Sequence, residues 1–295
     1  MGYYLKSELQ SAGHIVFGID INGGDMIADL LDKESLMHAL EEFSPDVVFH
    51  LAGISSVAAS WKYPQKTIDI NVKGTINLLE CIRERNRKTR LVLIGSSDQY
   101  GSVLPDDCPI SEDHLQKSAN PYAISKFAQE QMGMLYSKAY NMDILFTRSF
   151  NHTGAGQGKG FVIPDFASQI AEMELGGQHV IRVGNLSAQR DFSDVRDIVR
   201  AYRLIAERGK SGEVYNVGAG RAYIIRNLLD MLVRMARTRI IVQVDPMKIR
   251  PVDLPVMYGN INKLVVDTGY RPRYGIGDTL ADTLEYWRTK IRSNG

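Results

Sequence analysis

The feature that most limits the fold is an apolar run, Leu91-Val92-Leu93-Ile94, that leads directly into Gly95-Ser96-Ser97-Asp98-Gln99-Tyr100-Gly101. Unbroken aliphatics leave no solvent face, so this run predicts a strand buried on both sides, as in the parallel sheets of α/β folds. Downstream, Asn120-Pro121-Tyr122-Ala123-Ile124-Ser125-Lys126 opens a helical pattern that stays apolar at Phe127, Ala128, Met132, Leu135 and Tyr136. Tyr122 and Lys126 are four apart, hence on one helix face, stacked a turn apart. A phenol titrates near pH 10 and a neighbouring ammonium favours the phenolate. The spacing therefore predicts a lowered phenol pKa, suited to proton exchange with a substrate hydroxyl or carbonyl. Taken alone, the pair reads more readily as an aromatic and a solvated lysine sharing a helix. The strand end upstream distinguishes it, because open α/β sheets place their sites at the carboxyl ends of strands. A serine hydroxyl there could bond the oxygen that Tyr122 serves.

Other strands and helices follow the same alternation. Ile15 to Asp20, Asp46 to Leu51 and Met142 to Arg148 read as strands, and Tyr3–Gln10, Thr67–Glu84 and a segment from Pro164 read as helices. Such alternation predicts a doubly wound parallel α/β sheet with a smaller α/β part after about residue 160. Residues 101–121, rich in Pro, Asp and Ser, form a loop long enough to serve as a lid or binding loop. A net charge of +1 argues against a nucleic-acid partner. The basic run Arg83, Arg85, Arg87, Lys88 and Arg90 is read as a solvated helix end, where cations complement the dipole. Cys81 and Cys108 sit in no metal-ligand spacing, so no metal is expected, and a reduced, cytoplasmic setting is. No membrane association is expected, since no apolar run approaches a span and no leader opens the sequence.

The start departs from the pattern. A dinucleotide fold places a strand and G-x-G-x-x-G before its first helix, so that backbone amides can approach a pyrophosphate. Here the first helix comes almost at once, preceded by Gly2 alone. The expectation is a sequence read from too late a start or clipped, with an inactive relic as the second reading. Asp20 ends the next strand, where an acid bonds the adenosine ribose and repels a 2′-phosphate; this favours NAD(H), with NADP(H) second.

These segments resemble the extended short-chain dehydrogenase/reductases, the nucleotide-sugar epimerases, dehydratases and reductases. In that family the catalytic Ser or Thr lies four residues before the Tyr of a Ser-Ser-x-x-Tyr-Gly segment, which is Ser96 here. The resemblance implies that Ser96 orients the substrate oxygen, that Tyr122 is the acid or base, and that Lys126 lowers its pKa while holding the nicotinamide ribose. Asp98 stands where the dehydratases have a Glu and is a candidate acid or base. Gly2 is in register with the last glycine of the family's G-x-x-G-x-x-G, and Asp29 and Leu30 stand at the adenine contact. His50-Leu51-Ala52-Gly53 is similar to the family's His-Leu-Ala-Ala, whose backbone lies along the cofactor. Ser56 falls at the sugar pocket, and Asn71 at a residue bracing the active-site strand.

The string Arg148 to Gln157, containing Phe150-Asn151-His152-Thr153-Gly154, is similar to one in the GDP-4-keto-6-deoxy-mannose reductases. It implies that Asn151 contacts substrate and His152 approaches the cofactor. Val183 to Phe192 and Arg250-Pro251-Val252-Asp253 continue the likeness. Arginine grips phosphate in two places, so Arg190 and Arg250 are the candidates for a diphosphate, and Asp253 for the nucleotide ribose. The resemblance thus implies a dinucleotide-binding domain over 1–160 and a mainly substrate-binding domain over 161–295, from which a late strand and helix, about 192–218, return to the main sheet. The expected activity is NAD(P)H-dependent reduction of the C4 ketone of GDP-4-keto-6-deoxy-mannose. The alternatives are a GDP-mannose 4,6-dehydratase or nucleotide-sugar 4-epimerase, and a non-catalytic nucleotide-sugar binder. The family further implies a homodimer through the Asn71 and Tyr122 helices.

Overall fold

The computed structural model describes residues 1–85, 88–176, 178–248 and 254–293. Its central sheet has four parallel strands in the order Val214–Val217, Ile144–Ser149, Arg90–Ser96, Val47–His50. The unbroken apolar run is explained by its place in the middle. Leu91 and Leu93 face one way, with Ile144 and Phe146, onto the helices Lys33–Phe43, Gly74–Arg85 and Pro121–Tyr140. Val92 and Leu145 face the other way, with Tyr215 and Val217, onto the helices Gly2–Ser11, Val195–Arg208 and Asn262–Thr268. Leu91, Val92 and Leu93 are each at most 1% exposed, so each contributes about 1.5–3 kcal/mol of burial. The fold is a doubly wound parallel α/β sheet of the Rossmann kind.

A second core lies beside it. The helices Val162–Glu174, Ile225–Met235 and Ile276–Ser293 pack around Phe166, Ile170, Leu228, Leu232, Leu280 and Trp287. Strand Gln189–Asp194 borders that core and pairs with Asn151–Thr153, Ala222–Ile224 and Val256–Met257. The helix Val195–Arg208 then packs on the central sheet, which Val214–Val217 joins beside Ile144–Ser149. No helix among the described residues is long and apolar enough to cross a membrane.

Near the start the structure departs from the sequence expectation. The strand expected over Ile15 to Asp20 is reduced to Ile19–Asp20, which pairs with Gly23–Gly24 and Met26–Ile27 apart from the central sheet. Apolar residues make a strand only where a neighbour completes the hydrogen-bond ladder, and residues 15–18 have no strand partner among those described. Ile15 is left 87% exposed, and Phe17, stacked on Phe43, is still 50% exposed. The helix expected over Thr67 to Glu84 is also modified. Pro64–Ile68 and Gly74–Arg85 flank a widened turn, Asp69–Lys73, that carries Asn71. Widened turns of this kind recur at functional sites.

Candidate active site

Ser96 ends its strand and caps the single turn Ser97–Tyr100: its Oγ accepts from the Asp98 amide at 3.2 Å, and its own amide donates to Gln99 Oε1 at 2.9 Å. Asn120 caps the next helix by accepting from the Ala123 amide at 2.8 Å, and Pro121 suits the first helical position. That helix lies against the Ser96 strand, with Lys126 Nζ donating to the Ile94 carbonyl at 2.8 Å. Tyr122, 8% exposed, is thereby brought beside the Ser96 side chain, near enough for it to act on the phenol. Residues 96 and 122, far apart in sequence, thus meet at the carboxyl end of the sheet.

The electrostatics differ from the sequence expectation. Burial pushes the Tyr122 phenol well above its ordinary pKa; the Asp98 charge pushes the same way, and the Ser96 hydroxyl opposes them. Lys126 is not among the groups acting on the phenol. Its ammonium is held by the Ile94 carbonyl and, at 3.1 Å, by Gln129 Oε1, and burial lowers its own pKa to about 8. Helical spacing put the two residues on one face, but desolvation outweighs the mutual effect it suggested. The phenol is therefore held in its protonated form.

The surrounding candidates divide by what their side chains do. Asn71, fully buried, accepts from the Ile54 amide at 2.8 Å and donates to the Ile54 carbonyl at 3.0 Å and to Ser125 Oγ at 2.9 Å. This clamp fixes the Leu51-Ala52-Gly53 turn to the Tyr122 helix. Gly53, at φ 149°, has no room for a side chain, because a Cβ would lie 2.7 Å from Asn71 Oδ1. His50 bonds Thr75 at 2.9 Å, and burial lowers its pKa to about 3, so it stays neutral within the core. Gly2 is exposed in the first turn of its helix, whose N-cap has no side-chain hydrogen bond; Tyr4 Oη in that turn donates to the Ala155 carbonyl at 2.9 Å. That contact brings the helix start beside the segment carrying Asn151, which is exposed, and His152, which is half-buried with its pKa lowered by burial.

Asp20 and Asp29 are exposed; each accepts from the amide two residues on, Asn22 at 3.0 Å and Leu31 at 2.9 Å. Leu30 is half-buried against Gly74. Ser56 caps a helix by accepting from the Ala59 amide at 3.2 Å. Arg190 Nη1 donates to the carbonyls of Gln189 and Leu254, at 2.9 and 2.7 Å. Its neighbour Asp191 is fully buried, accepts from the Ala219 and Gly220 amides at 2.7 and 3.0 Å, and has its pKa pushed up to about 7 by burial. Arg250 and Asp253 lie outside the described residues.

Sequence reading missed a buried polar network below the Ser96 turn. Glu130, 3% exposed, accepts from Arg148 Nε and Nη2 at 2.9 and 2.7 Å, from Gln99 Nε2 at 2.8 Å and from Gln116 Nε2 at 3.1 Å. Arg148 also donates to the Tyr100 hydroxyl, which donates in turn to Asn216 Oδ1. A signal existed: Glu130 continues the Tyr122, Lys126 face one turn further on, an acid on the side that packs against the sheet. The loop 101–121 is tied down by the same region, through bridges from Gly101 to Lys117 and from Ile110 to Gly259. Gly101, at φ 65°, could not carry a Cβ, which would fall 1.6 Å from the Lys117 carbonyl oxygen.

The residues present fit a dinucleotide. An uncapped helix start, a turn held open by Gly53, the Asp20 carboxylate and the buried Lys126 ammonium are the donor and acceptor types that pyrophosphate and ribose require.

Comparison with known proteins agrees with this geometry. A family model described as GDP-mannose 4,6 dehydratase matches residues 25–283. The GDP-6-deoxy-D-mannose reductase of Pseudomonas aeruginosa is 36% identical over 265 residues, covering 90% of this chain and 87% of the relative. The GDP-mannose 4,6 dehydratase 1 of Arabidopsis thaliana is 29% identical over 84% of this chain and 69% of the relative. Among solved structures, RMD from Pseudomonas aeruginosa complexed with NADPH superposes with a TM-score of 0.89 at 33% identity, covering 98% of this chain and 95% of that one. The UDP-glucose 4-epimerase of Thermus thermophilus in complex with NAD gives a TM-score of 0.86 at 26% identity, over 97% and 95% of the two chains. With the family model spanning most of its length and a relative above 30% identity covering nine-tenths of it, this chain belongs to the GDP-mannose 4,6-dehydratase family of nucleotide-sugar-modifying short-chain dehydrogenase/reductases.

Proposed function

We propose that the protein reduces the C4 ketone of GDP-4-keto-6-deoxy-mannose to the alcohol of a GDP-6-deoxyhexose. The observation that carries this reading is the buried Tyr122 phenol, held protonated beside the Ser96 side chain at the carboxyl end of the sheet. Reduction of a ketone ends with a proton delivered to oxygen, so the site needs a phenol. Epimerisation and dehydration begin with a proton removed from the C4 hydroxyl, so they need a phenolate. Burial and the Asp98 charge favour the first. The 36% identity to a GDP-6-deoxy-D-mannose reductase supports the same substrate class.

In this reading the Ser96 hydroxyl and the Tyr122 phenol converge on the sugar C4 oxygen. A bound nicotinamide supplies the hydride to C4. As the carbonyl electron pair moves onto oxygen, Tyr122 releases its proton there. Lys126, one helical turn on, keeps its ammonium on the Ile94 carbonyl and Gln129 and is proposed to hold the nicotinamide ribose, and solvent then returns the proton to Tyr122. Gly2, Asp20, Asp29, Leu30, Leu51, Ala52, Gly53, Lys126 and His152 are the residues proposed to hold the cofactor. Ser56, Asn151, Arg190, Arg250 and Asp253 are those proposed for the GDP-sugar, with the two arginines on its diphosphate. Residues up to about 160 then serve the cofactor, and the second core serves mainly the sugar nucleotide.

NADH is proposed as the preferred cofactor, because a 2′-phosphate would meet the Asp20 carboxylate; the Pseudomonas structure holds NADPH, so the two proteins are expected to differ here. A homodimer through the Tyr122 helix is supported by Ile124 and Leu135, which stand 48% and 61% exposed on it. A reduced cytoplasmic setting is supported by Cys81 and Cys108, both free thiols.

The test follows nicotinamide absorbance with each substrate. Oxidation of added NADH is expected only with the keto-sugar present, with kcat/KM for NADH above that for NADPH and the gap narrowed by Asp20→Ala. Turnover of GDP-mannose without added reductant would favour the dehydratase. Preference for NADPH in the native protein would remove the role given to Asp20.

A further inference from the structure

Among the buried groups that the proposed chemistry does not use, the Gln99, Glu130 and Arg148 set joins the Ser96 turn to the Tyr122 helix. Glu130 receives four donors at 2.7–3.1 Å, two from Arg148 and one each from Gln99 and Gln116. A carboxylate offers about four acceptor positions, so these donors use its whole capacity. This settles how the Gln99 amide is turned. Its Nε2 faces two acceptors, Glu130 Oε2 and Gln116 Oε1, and so its Oε1 must face the Ser96 amide, 2.9 Å away. Gln99 is 0% exposed, and nothing in the solvent competes for either end. Glu130 itself rides on the Tyr122 helix, eight residues on, and Arg148 comes from the neighbouring strand Ile144–Ser149. One carboxylate therefore connects the element carrying the phenol to the turn carrying the serine hydroxyl, through a single oriented amide.

We infer that Gln99, oriented by Glu130, is a positioning residue that sets the Ser96 hydroxyl against the Tyr122 phenol. The inference rests on the proposed roles of Ser96 and Tyr122, but not on which sugar is turned over. Gly95 adds a constraint on the same spot, since a Cβ there would lie 2.6 Å from Gln99 Oε1 and 2.3 Å from the Thr147 carbonyl oxygen. Strand, turn and helix are thus packed so that the amide has one place to be. Displacing Ser96 from the oxygen that Tyr122 protonates would lower turnover while leaving the distant diphosphate contacts in place.

The experiment is a swap. Gln99→Glu alone keeps an acceptor for the Ser96 amide but sets two carboxylates face to face. Glu130→Gln alone leaves Arg148 without its counter-charge. The double variant Gln99→Glu/Glu130→Gln removes the facing carboxylates and keeps an acceptor for Ser96, but takes the carboxylate away from Arg148. Each single variant is expected to lose kcat by ~10–100-fold, the range for a catalytic group misplaced by about 1 Å, with little change in KM or GDP-sugar affinity. The double variant is expected to recover much of the loss seen in Gln99→Glu, since the facing carboxylates are gone, and not the part that the unmatched Arg148 imposes. A double variant as slow as Gln99→Glu, or singles that lose GDP-sugar binding in step with kcat, would overturn the inference.

A second readout is independent of turnover. Hydrogen exchange at the Ser96 amide, followed by NMR, should be slow in the native protein and fast in Gln99→Leu, while the Leu91 and Leu93 amides stay protected. Unchanged protection of Ser96 would overturn the positioning role. If the native protein is inert toward the keto-sugar, the functional reading fails, and this exchange result still decides the one made for Gln99.

Discussion

Tyr122→Phe is expected to lower kcat for the keto-sugar by about two to four orders of magnitude, the usual worth of a positioned general acid, while GDP-sugar affinity stays near the native value. The substitution removes one hydroxyl and leaves the ring, so the packing of the helix against the sheet persists. What is lost is the proton donor beside the Ser96 side chain. Contacts to the nucleotide lie elsewhere in the proposed site, on Arg190 and the second core. Stopped-flow measurement of nicotinamide oxidation, paired with calorimetric titration of GDP, separates the two effects. Retained turnover would refute the role given to the phenol.

The second large effect concerns stability and runs against intuition. Lys126→Met is expected to abolish turnover and yet make the protein more stable at pH 7. Burial takes the Lys126 pKa from 10.5 to about 8. At about 1.4 kcal/mol per pKa unit, that fall corresponds to roughly 3 kcal/mol of lost stability. Methionine fills much the same space without the charge. It forgoes the bonds to the Ile94 carbonyl and Gln129 Oε1, at about 1 kcal/mol each, so the net gain is about 1–2 kcal/mol. The pH dependence follows from the direction of the shift. Between about pH 8 and 10.5 the unfolded chain binds more protons at this residue than the folded one, so its contribution to folding improves as pH rises and is worst below pH 8. The advantage of the variant should therefore be full at pH 7 and largely gone by about pH 9.5. Urea denaturation of both proteins at the two pH values measures it. A variant less stable than native at pH 7, or a difference that does not change with pH, would mean that the buried ammonium is not the cost inferred here.

Both effects come from features that differ in how well the sequence announces them. The central strand could be read from Leu91 to Ile94, because a residue run with no polar face has only one kind of place in an α/β sheet. The meeting of Ser96 with Tyr122 could be read as well, since one ends a buried strand and the other opens a helix. The electrostatics could not. Whether a lysine four residues from a tyrosine acidifies it depends on where the ammonium points, and here it turns to the Ile94 carbonyl and Gln129. Helical spacing says nothing about that choice. The strand expected from Ile15 failed for a related reason, because pairing is a property of two segments and a pattern shows only one. Asn71 was singled out by resemblance, whereas its reason is geometric: its side-chain amide fills the space that a Cβ on Gly53 would need. Glu130 and Arg148 stand among other polar residues, Gln129 and Gln131 beside the one and Thr147 and Ser149 beside the other, and their significance appears only when Arg148 is seen to close on Glu130 and Glu130 on Gln99.

The central claim, that Tyr122 and Ser96 serve the reduction of a sugar ketone, is tested most directly by isotope transfer. The protein is incubated with GDP-4-keto-6-deoxy-mannose and NADH carrying deuterium at the transferred position of nicotinamide C4, and the sugar product is examined by NMR. The account predicts one deuterium at sugar C4 of a GDP-6-deoxyhexose for each NADH oxidised. Product free of deuterium at C4, or no product from a folded protein that binds the GDP-sugar, would contradict it.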